Sequence, residues 1–299
     1  MTEFLQQVVN GIAWGSLYAL IALGYTMVYG VLRFINFAHG DVYMVGAMVA
    51  FYSARAVGGA GTSMAFFFGL LAVSMLACGA LGYTIERAAY RPLRSAPKLT
   101  ALITAIGVSL LLENGGQLVF GPDPKFFPTL IETRELWASS GIVVTNVQAL
   151  ILAVAVTLML GLQFLIFRTR LGTALRAVSY SPETASLMGI NVDRMISLTF
   201  VLGSMLAGAA GVLVGVSNPK IDPLMGIMPG LKAFVAAVVG GIGNIPGAMA
   251  GGLLMGISEV MVVGYVSSTY RDAIAFVILI FVLLVRPSGL FGASLEEKV

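Results

Sequence analysis

The sequence predicts an all-α integral membrane protein: a bundle of about eight to nine transmembrane helices with Gly/Pro-broken segments and a short cytoplasmic helix. Three observations predict it. Of the 299 residues, 58% are hydrophobic and only 10% are charged, whereas a soluble domain carries roughly a quarter charged residues. The apolar residues gather in runs close to the roughly 20 that one helical crossing of a bilayer core requires. Those runs are apolar on every side and lack the strict alternation, over segments of about 10 residues, of a membrane β-strand.

Taken in order, the runs cover 8–31, 42–57, 62–85, 99–120, 147–167, 195–217, 228–243, 246–266 and 272–285, the second and seventh being short. The first begins near Val8 with no basic stretch before it and carries Trp14, Tyr18, Tyr25 and several glycines. It is expected to remain as a span, since a signal peptide has a charged lead and a plainer apolar centre. The polar gaps are too short for a separate soluble domain, so 1–299 reads as a single transmembrane domain with a cytoplasmic segment at about 168–194.

Orientation follows from lysines and arginines near the span ends, which stay in the cytoplasm. Arg87, Arg91, Arg94 and Lys98 crowd the loop 86–98, and Arg168, Arg170, Arg176 and Arg194 the segment 168–194. With nine spans the N-terminus then lies outside and the C-terminus inside. Arg33, Arg286 and Lys298 join the inner set, while Arg55, Lys125, Arg134, Lys220 and Arg271 fall outside. Reading 8–57 as one span plus a re-entrant piece gives eight crossings and reverses the N-terminus.

Of the 36 glycines, several recur every four residues: Gly203, Ala207, Gly211 and Gly215 on one helix, Gly247 with Gly251 and Gly252 with Gly256 on another. Such ridges let backbones approach where lipid supplies no hydrophobic drive. The single Cys78 lies in an apolar run and can form no internal disulfide, and a net charge of +3 is too small to suggest nucleic-acid binding.

Polar groups interrupt the apolar pattern at a few places. RFINFAHGD, residues 33–41, brings Asn36, His39 and Asp41 together beside Gly40. Facing lipid, these would cost several kcal/mol, so they are expected against protein, a cavity or an interface. Two readings fit: a helix break that lines or gates a pathway, or a tight cytoplasmic turn with Asp41 capping the next helix. A second interruption, GGIGNIPG at 240–247, places Gly240, Gly241, Gly243 and Asn244 before Pro246, which no ordinary helix interior holds. Paired broken segments of this kind point to a pathway. Lys232 and Glu259 stand in otherwise uncharged runs, and Glu113 with Asn114 interrupts the fourth. Lys232 either pairs with Glu259 or Glu113, or it snorkels to a nearby interface, as Glu113 can.

The segment 168–194 carries a helix signature. Ser181 suits an N-cap, Pro182 the first helical position, Glu183 the positive end, and Gly189 the residue after the stop, with Ala185 and Ser186 between. This predicts about two turns of helix whose Leu187, Met188 and Ile190 offer a dock for a soluble partner. No G-x-x-x-x-G-K-[ST], H-E-x-x-H or G-x-S-x-G motif occurs, and one histidine with one aspartate is too little for a metal site. The chain is not expected to be an enzyme or to hold a metal or cofactor, and any ATP would be bound by partner subunits.

Four ordered stretches carry a resemblance: NGIAWGSLYALIALGYTMVYGVLRFINFAHGDVYMVGA, IERAAYRPLR, ETASLMGIN followed by LTFVLGSMLAGAAGVL, and KAFVAAVVGGIGNIPGAMAGG. Over essentially the whole chain the sequence resembles the LivH-type permease subunits of branched-chain amino acid ABC importers, within the wider branched-chain amino acid and urea permease family. The resemblance implies a multi-pass subunit of the bacterial inner membrane. It would pair with a second homologous permease, with two ATP-binding cassette subunits docked inside and an external binding protein delivering Leu, Ile or Val. Residues 181–190 match the family's coupling segment, Ala185 and Gly189 occupying its A-x-x-x-G positions, while Ser181-Pro182-Glu183 replaces the usual acidic start. Alternating access is the expected mechanism, with Asn36, His39, Asp41, Gly240, Gly241, Gly243 and Asn244 along the pathway or gate, and Ser181, Pro182, Glu183, Ala185 and Gly189 in coupling. The alternatives are a permease for urea or another small solute, a passive channel, and a secondary carrier using His39, Asp41, Glu113, Lys232 and Glu259 as a proton relay.

Overall fold

The computed structural model describes residues 2–58, 63–94, 96–139 and 141–292. Lys298, placed on the inner side above, lies outside the described residues. Each apolar run is a helix: α1 (Thr2–Leu32), α2 (His39–Ala56), α3 (Met64–Ile85), α4 (Lys98–Phe120), α5 (Asn146–Arg168), α8 (Val192–Ser217), α9 (Ile227–Gly240), α10 (Ile245–Tyr265) and α11 (Ala273–Val285). Among the described residues, six helices are long and apolar enough to cross a membrane, namely α1, α3 with its extension to Leu93, α4, α5, α8 and α10. The 14-residue α9 and 13-residue α11 are shorter apolar helices.

Two features depart from the expected plan. The segment after α5 holds two helices, α6 (Arg170–Tyr180) and α7 (Pro182–Leu187), where one short helix was expected. Thr169 starts α6 by accepting the Gly172 N–H at 3.1 Å. A Cβ at Gly172 would lie 2.2 Å from the carbonyl oxygens of Leu165 and Ile166, so only glycine fits this sharp corner. The other departure is extended chain. β2 (Glu135–Ser139) pairs antiparallel with β3 (Ile142–Thr145), and β1 (Lys125–Phe126) with β4 (Lys220–Ile221). The β1–β4 pair ties the segment after α4 to the one after α8, so those two helix ends share one side of the bundle.

α1 is the axis. Leu17, Leu20, Ile21 and Leu23 are all buried, and α8 is buried to a similar degree. In lipid such burial comes from close packing between helices rather than from expelling water. A Cβ at Gly256 would sit 2.1 Å from the Gly15 nitrogen, and one at Gly252 would sit 2.4 Å from the Ala19 Cα, so α10 touches α1 backbone to backbone. The neighbouring ridge of α10 faces α9, where a Cβ at Gly251 would lie 2.1 Å from the Ala236 oxygen. The α8 ridge meets three elements in succession: Gly203 lies on Gly24 of α1, Gly211 on the Tyr43 carbonyl of α2, and Gly215 on the Phe127 ring. Peripheral helices turn large apolar residues outward, among them Ile103, Leu111 and Leu118 on α4 and Phe281 and Leu284 on α11.

Because Gly256 meets backbone, which cannot rotate away, Gly256→Leu is expected to destabilise the fold by about 3 kcal/mol or more. Gly161→Leu on α5, with nothing within 4 Å of its Cβ position, should be tolerated. The monodisperse fraction on size-exclusion chromatography in detergent compares the two.

Candidate functional site

The break after α1 is built by Arg33, whose φ of +54° is the one positive value at a non-glycine among the described residues. The chain reverses there, and α2 starts beside the body of α1. His39 is buried against Gly24, where a Cβ would lie 2.1 Å from the imidazole Nε2, and the Tyr25 ring meets it edge-on at 4.9 Å. Among the described residues Nε2 has no hydrogen-bond partner. Asn36 Oδ1 accepts from Tyr90 Oη at 2.7 Å, and Asp41 Oδ2 accepts from Ser109 Oγ of α4 at 2.5 Å. The N-cap of α2 is Ala38, so Asp41 does not cap the helix, as one reading had it. The three polar groups are buried in protein and turn to three different neighbours rather than toward one cavity.

The start of α2 also meets the start of α9. A Cβ at Gly40 would lie 2.6 Å from the Gly226 oxygen and 2.9 Å from the Gly230 Cα. Sequence reasoning missed this junction. The signal available was the four-residue spacing of Gly226 and Gly230 amid Pro219, Pro223 and Pro229.

At the second break α9 ends at Gly240, and Gly241 and Gly243 take φ values of +104° and +92°. Asn244 caps α10, its Oδ1 accepting the Gly247 N–H at 3.0 Å while its Nδ2 donates to the Phe291 carbonyl at 2.8 Å. The segment after α11 covers the corner: Leu290 N–H donates to Val239 O at 2.8 Å, and Gly241 packs on Gly292. Gly243 instead neighbours Gly30 of α1 and lines a cavity of about 70 Å³ with Thr26, Ser179 and Thr199. Ser179 Oγ of α6 donates to the Gly30 carbonyl at 2.5 Å, which fastens α6 to α1 just before its break.

Lys232 does not snorkel. It is 5% exposed, on the α9 face turned toward α1 and α10, and its Nζ lies 3.0 Å from Glu259 Oε2 and 2.7 Å from Asp272 Oδ1. Glu259 also accepts from Arg271 Nε at 2.5 Å and Tyr18 Oη at 2.7 Å, and the Arg271 guanidinium stands 5.5 Å from the Trp14 ring centroid. Two cations and two anions cancel, which offsets the roughly 2.5–3.5 kcal/mol that one isolated charge costs at membrane depth. Glu113 is not part of this group. It lies on α4 near Ser109, 3.4 Å from the hydroxyl that binds Asp41, because α4 packs on α2 and not on α9. Arg271, placed only on the outer side, and Asp272, the first residue of the last apolar run, complete the quartet; the signal was an adjacent Arg-Asp pair at the start of that run.

α7 has a closed local geometry. Ser181 Oγ accepts the Thr184 N–H at 3.2 Å, Pro182 is the first helical residue, and Gly189 follows the end with φ +80°. Gly189 N–H reaches Ser186 O and Ile190 N–H reaches Ala185 O, both at 3.0 Å, the paired bonds of a Schellman stop. Ala185 and Ile190 anchor the turn, while Tyr180, Leu187 and Met188 are 78–89% exposed. Glu183 and Ser186 are exposed as well. The α6 helix was missed although Leu171, Leu175 and Val178 already show helical spacing.

The class these features define is a multi-pass membrane transport subunit. The chain matches the family described as "Branched-chain amino acid transport system / permease component" over residues 7–283, and it belongs to that family. It is 46% identical to the high-affinity branched-chain amino acid transport system permease protein BraD of Pseudomonas aeruginosa, over 99% of this chain and 98% of the relative. It is likewise 46% identical to LivH of Escherichia coli K12, with the same name and coverage. A probable branched-chain amino acid transport permease LivH of Methanocaldococcus jannaschii is 30% identical over 96% of this chain and 92% of its own.

Glu259→Met strands Lys232 and Arg271 with Asp272 alone, and is expected to cost about 3–5 kcal/mol, as broken buried pairs do. Adding Lys232→Met should recover most of that loss. Thermal unfolding of the detergent-purified variants measures both.

Proposed function

We propose that this chain is the membrane-spanning permease subunit of an ABC importer that brings branched-chain amino acids (Leu, Ile, Val) into the cytoplasm of a bacterial cell. The substrate class rests on the near full-length likeness to relatives that bear that name. In the complex it pairs with a second homologous permease, receives substrate from an external binding protein, and is driven by two ATP-binding subunits, with its N-terminus outside and its C-terminus in the cytoplasm.

The observation that carries the coupling role is α7 with its exposed Leu187 and Met188, set on α6, which holds α1 through Ser179 and Gly30. In the proposed mechanism, closure of the ATPases on the exposed Pro182, Glu183 and Gly189, with Ser181 and the buried Ala185 holding the turn, moves α6. The movement passes at Gly30 to the end of α1 and to Gly243, the point where the end of α1 adjoins the second break. Asn36, His39 and Asp41 on one side and Gly240, Gly241 and Asn244 on the other then change neighbours as access alternates. A displacement delivered at one hydroxyl-to-carbonyl contact moves both breaks together, since packed helices switch between discrete arrangements rather than deform smoothly.

Leu187→Asp with Met188→Asp, both on exposed side chains, should leave the fold intact and lower ATP-driven leucine uptake by the reconstituted complex about tenfold or more. Normal uptake by this variant would overturn the coupling assignment. Uptake of labelled urea in preference to leucine would overturn the substrate.

A further inference from the structure

An opening that the transport reading leaves unused lies between the C-terminal end of α3 and the start of α8. The two helices touch at Gly82, where a Cβ would lie 2.1 Å from Ser204 Oγ. Between them is a crevice of about 450 Å³, with Tyr83, Arg87 and Arg91 on one wall and Arg194, Leu198 and Val201 on the other, where Asp193 also lines it. The α3 wall continues as a five-residue π-helical turn, Glu86–Tyr90, and Arg87 and Arg91, four residues apart, both line the crevice.

The wall is held rigid by ion pairs that are themselves part of its lining. Asp193 is gripped by Arg91 and Arg94, and the fully buried Glu86 accepts from Arg94 and, at 2.6 Å, from Ser197 Oγ. The two carboxylates neutralise Arg91 and Arg94. Arg87 and Arg194 remain, and among the described residues neither has a carboxylate partner; Arg87 contacts only the Tyr83 hydroxyl, at 3.2 Å. The crevice therefore carries an excess of two positive charges on a preset frame. Leu198 and Val201 supply its apolar part, and on α3 the exposed Val73 and Leu76 lead from Tyr83 along the face that a helix of this hydropathy turns to lipid.

The geometry points to a binding site for an anionic phospholipid: Arg87 and Arg194 hold the phosphodiester, Tyr83 sits at headgroup level, and the acyl chains run past Leu198 and Val201 along α3. Guanidinium groups suit a phosphate because their paired donors match its oxygens, and basic crevices between transmembrane helices take such headgroups. The two arginines come from the turn that extends α3 and from α8, so a bound headgroup adds to the ion pairs that already join the two elements.

The test is native mass spectrometry of the full chain, with the subunits that copurify, stripped of lipid in detergent and then offered one ligand at a time. Phosphatidylglycerol or cardiolipin is expected to be retained on the wild-type protein and phosphatidylethanolamine not. Arg87→Ala with Arg194→Ala should weaken that retention roughly tenfold, and Arg87→Lys with Arg194→Lys should weaken it less. Arg194→Gln, on an exposed side chain, gives a second variant with no demand on folding. Equal retention of phosphatidylethanolamine, or unchanged phosphatidylglycerol on the alanine double variant, would overturn the site. Inorganic phosphate raising thermal stability as much as phosphatidylglycerol would overturn the lipid as its ligand.

Discussion

The structure depends on the distance at which α1 can be approached. Two helices with ordinary side chains keep their axes about 8–10 Å apart, and at that spacing neither α10 nor α8 could reach the α1 backbone. Glycine removes the obstacle on both sides: Gly252 and Gly256 of α10 lie on Ala19 and Gly15, and Gly203 of α8 lies on Gly24. Each contact is between main chains, and it repays in dispersion what the bilayer does not supply as hydrophobic drive.

The polar interior follows from that spacing. With α10 seated on α1, Glu259 comes within reach of Tyr18, and with α9 seated on α10 it comes within reach of Lys232. The helix that carries Lys232 is therefore locked to two others by groups that would be costly to expose separately. The same compactness lets α2 begin beside the body of α1, where the small Gly24 leaves just enough room for the His39 ring. Movement in such a bundle has few places to begin. The breaks at 33–38 and 241–244 are two of them, and the end of α1 just before the first lies against the second at Gly30 and Gly243, next to the hydroxyl by which α6 holds α1.

The cluster at the ends of α3 and α8 obeys a different rule. Inside the bundle the charges cancel, whereas around Asp193 and Glu86 the arginines outnumber the carboxylates. A surplus of that kind is affordable only where water or an anionic ligand can reach it, which places this end of the helices at an interface.

Much of this was legible in the amino-acid order. The nine apolar runs became helices with ends displaced by only a few residues, because length, hydropathy and caps such as Ser181, Asn244 and Gly189 act over one or two turns. The stretches 33–41 and 240–247 read as breaks for the same local reason, since buried polar groups, glycine and proline disfavour an uninterrupted apolar helix where they stand, whereas the positive φ of Arg33 was not foreseeable. Partner choice was not legible. Nothing within a turn of Lys232 indicates that Glu259 and Asp272 complete its shell while Glu113 lies with Ser109 and Asp41. Nor does the spacing of Gly40, Gly226 and Gly230 reveal that they meet. Cost is a property of a residue and its near neighbours, and the sequence states it; satisfaction is a property of which helices touch, and the tertiary structure alone decided that.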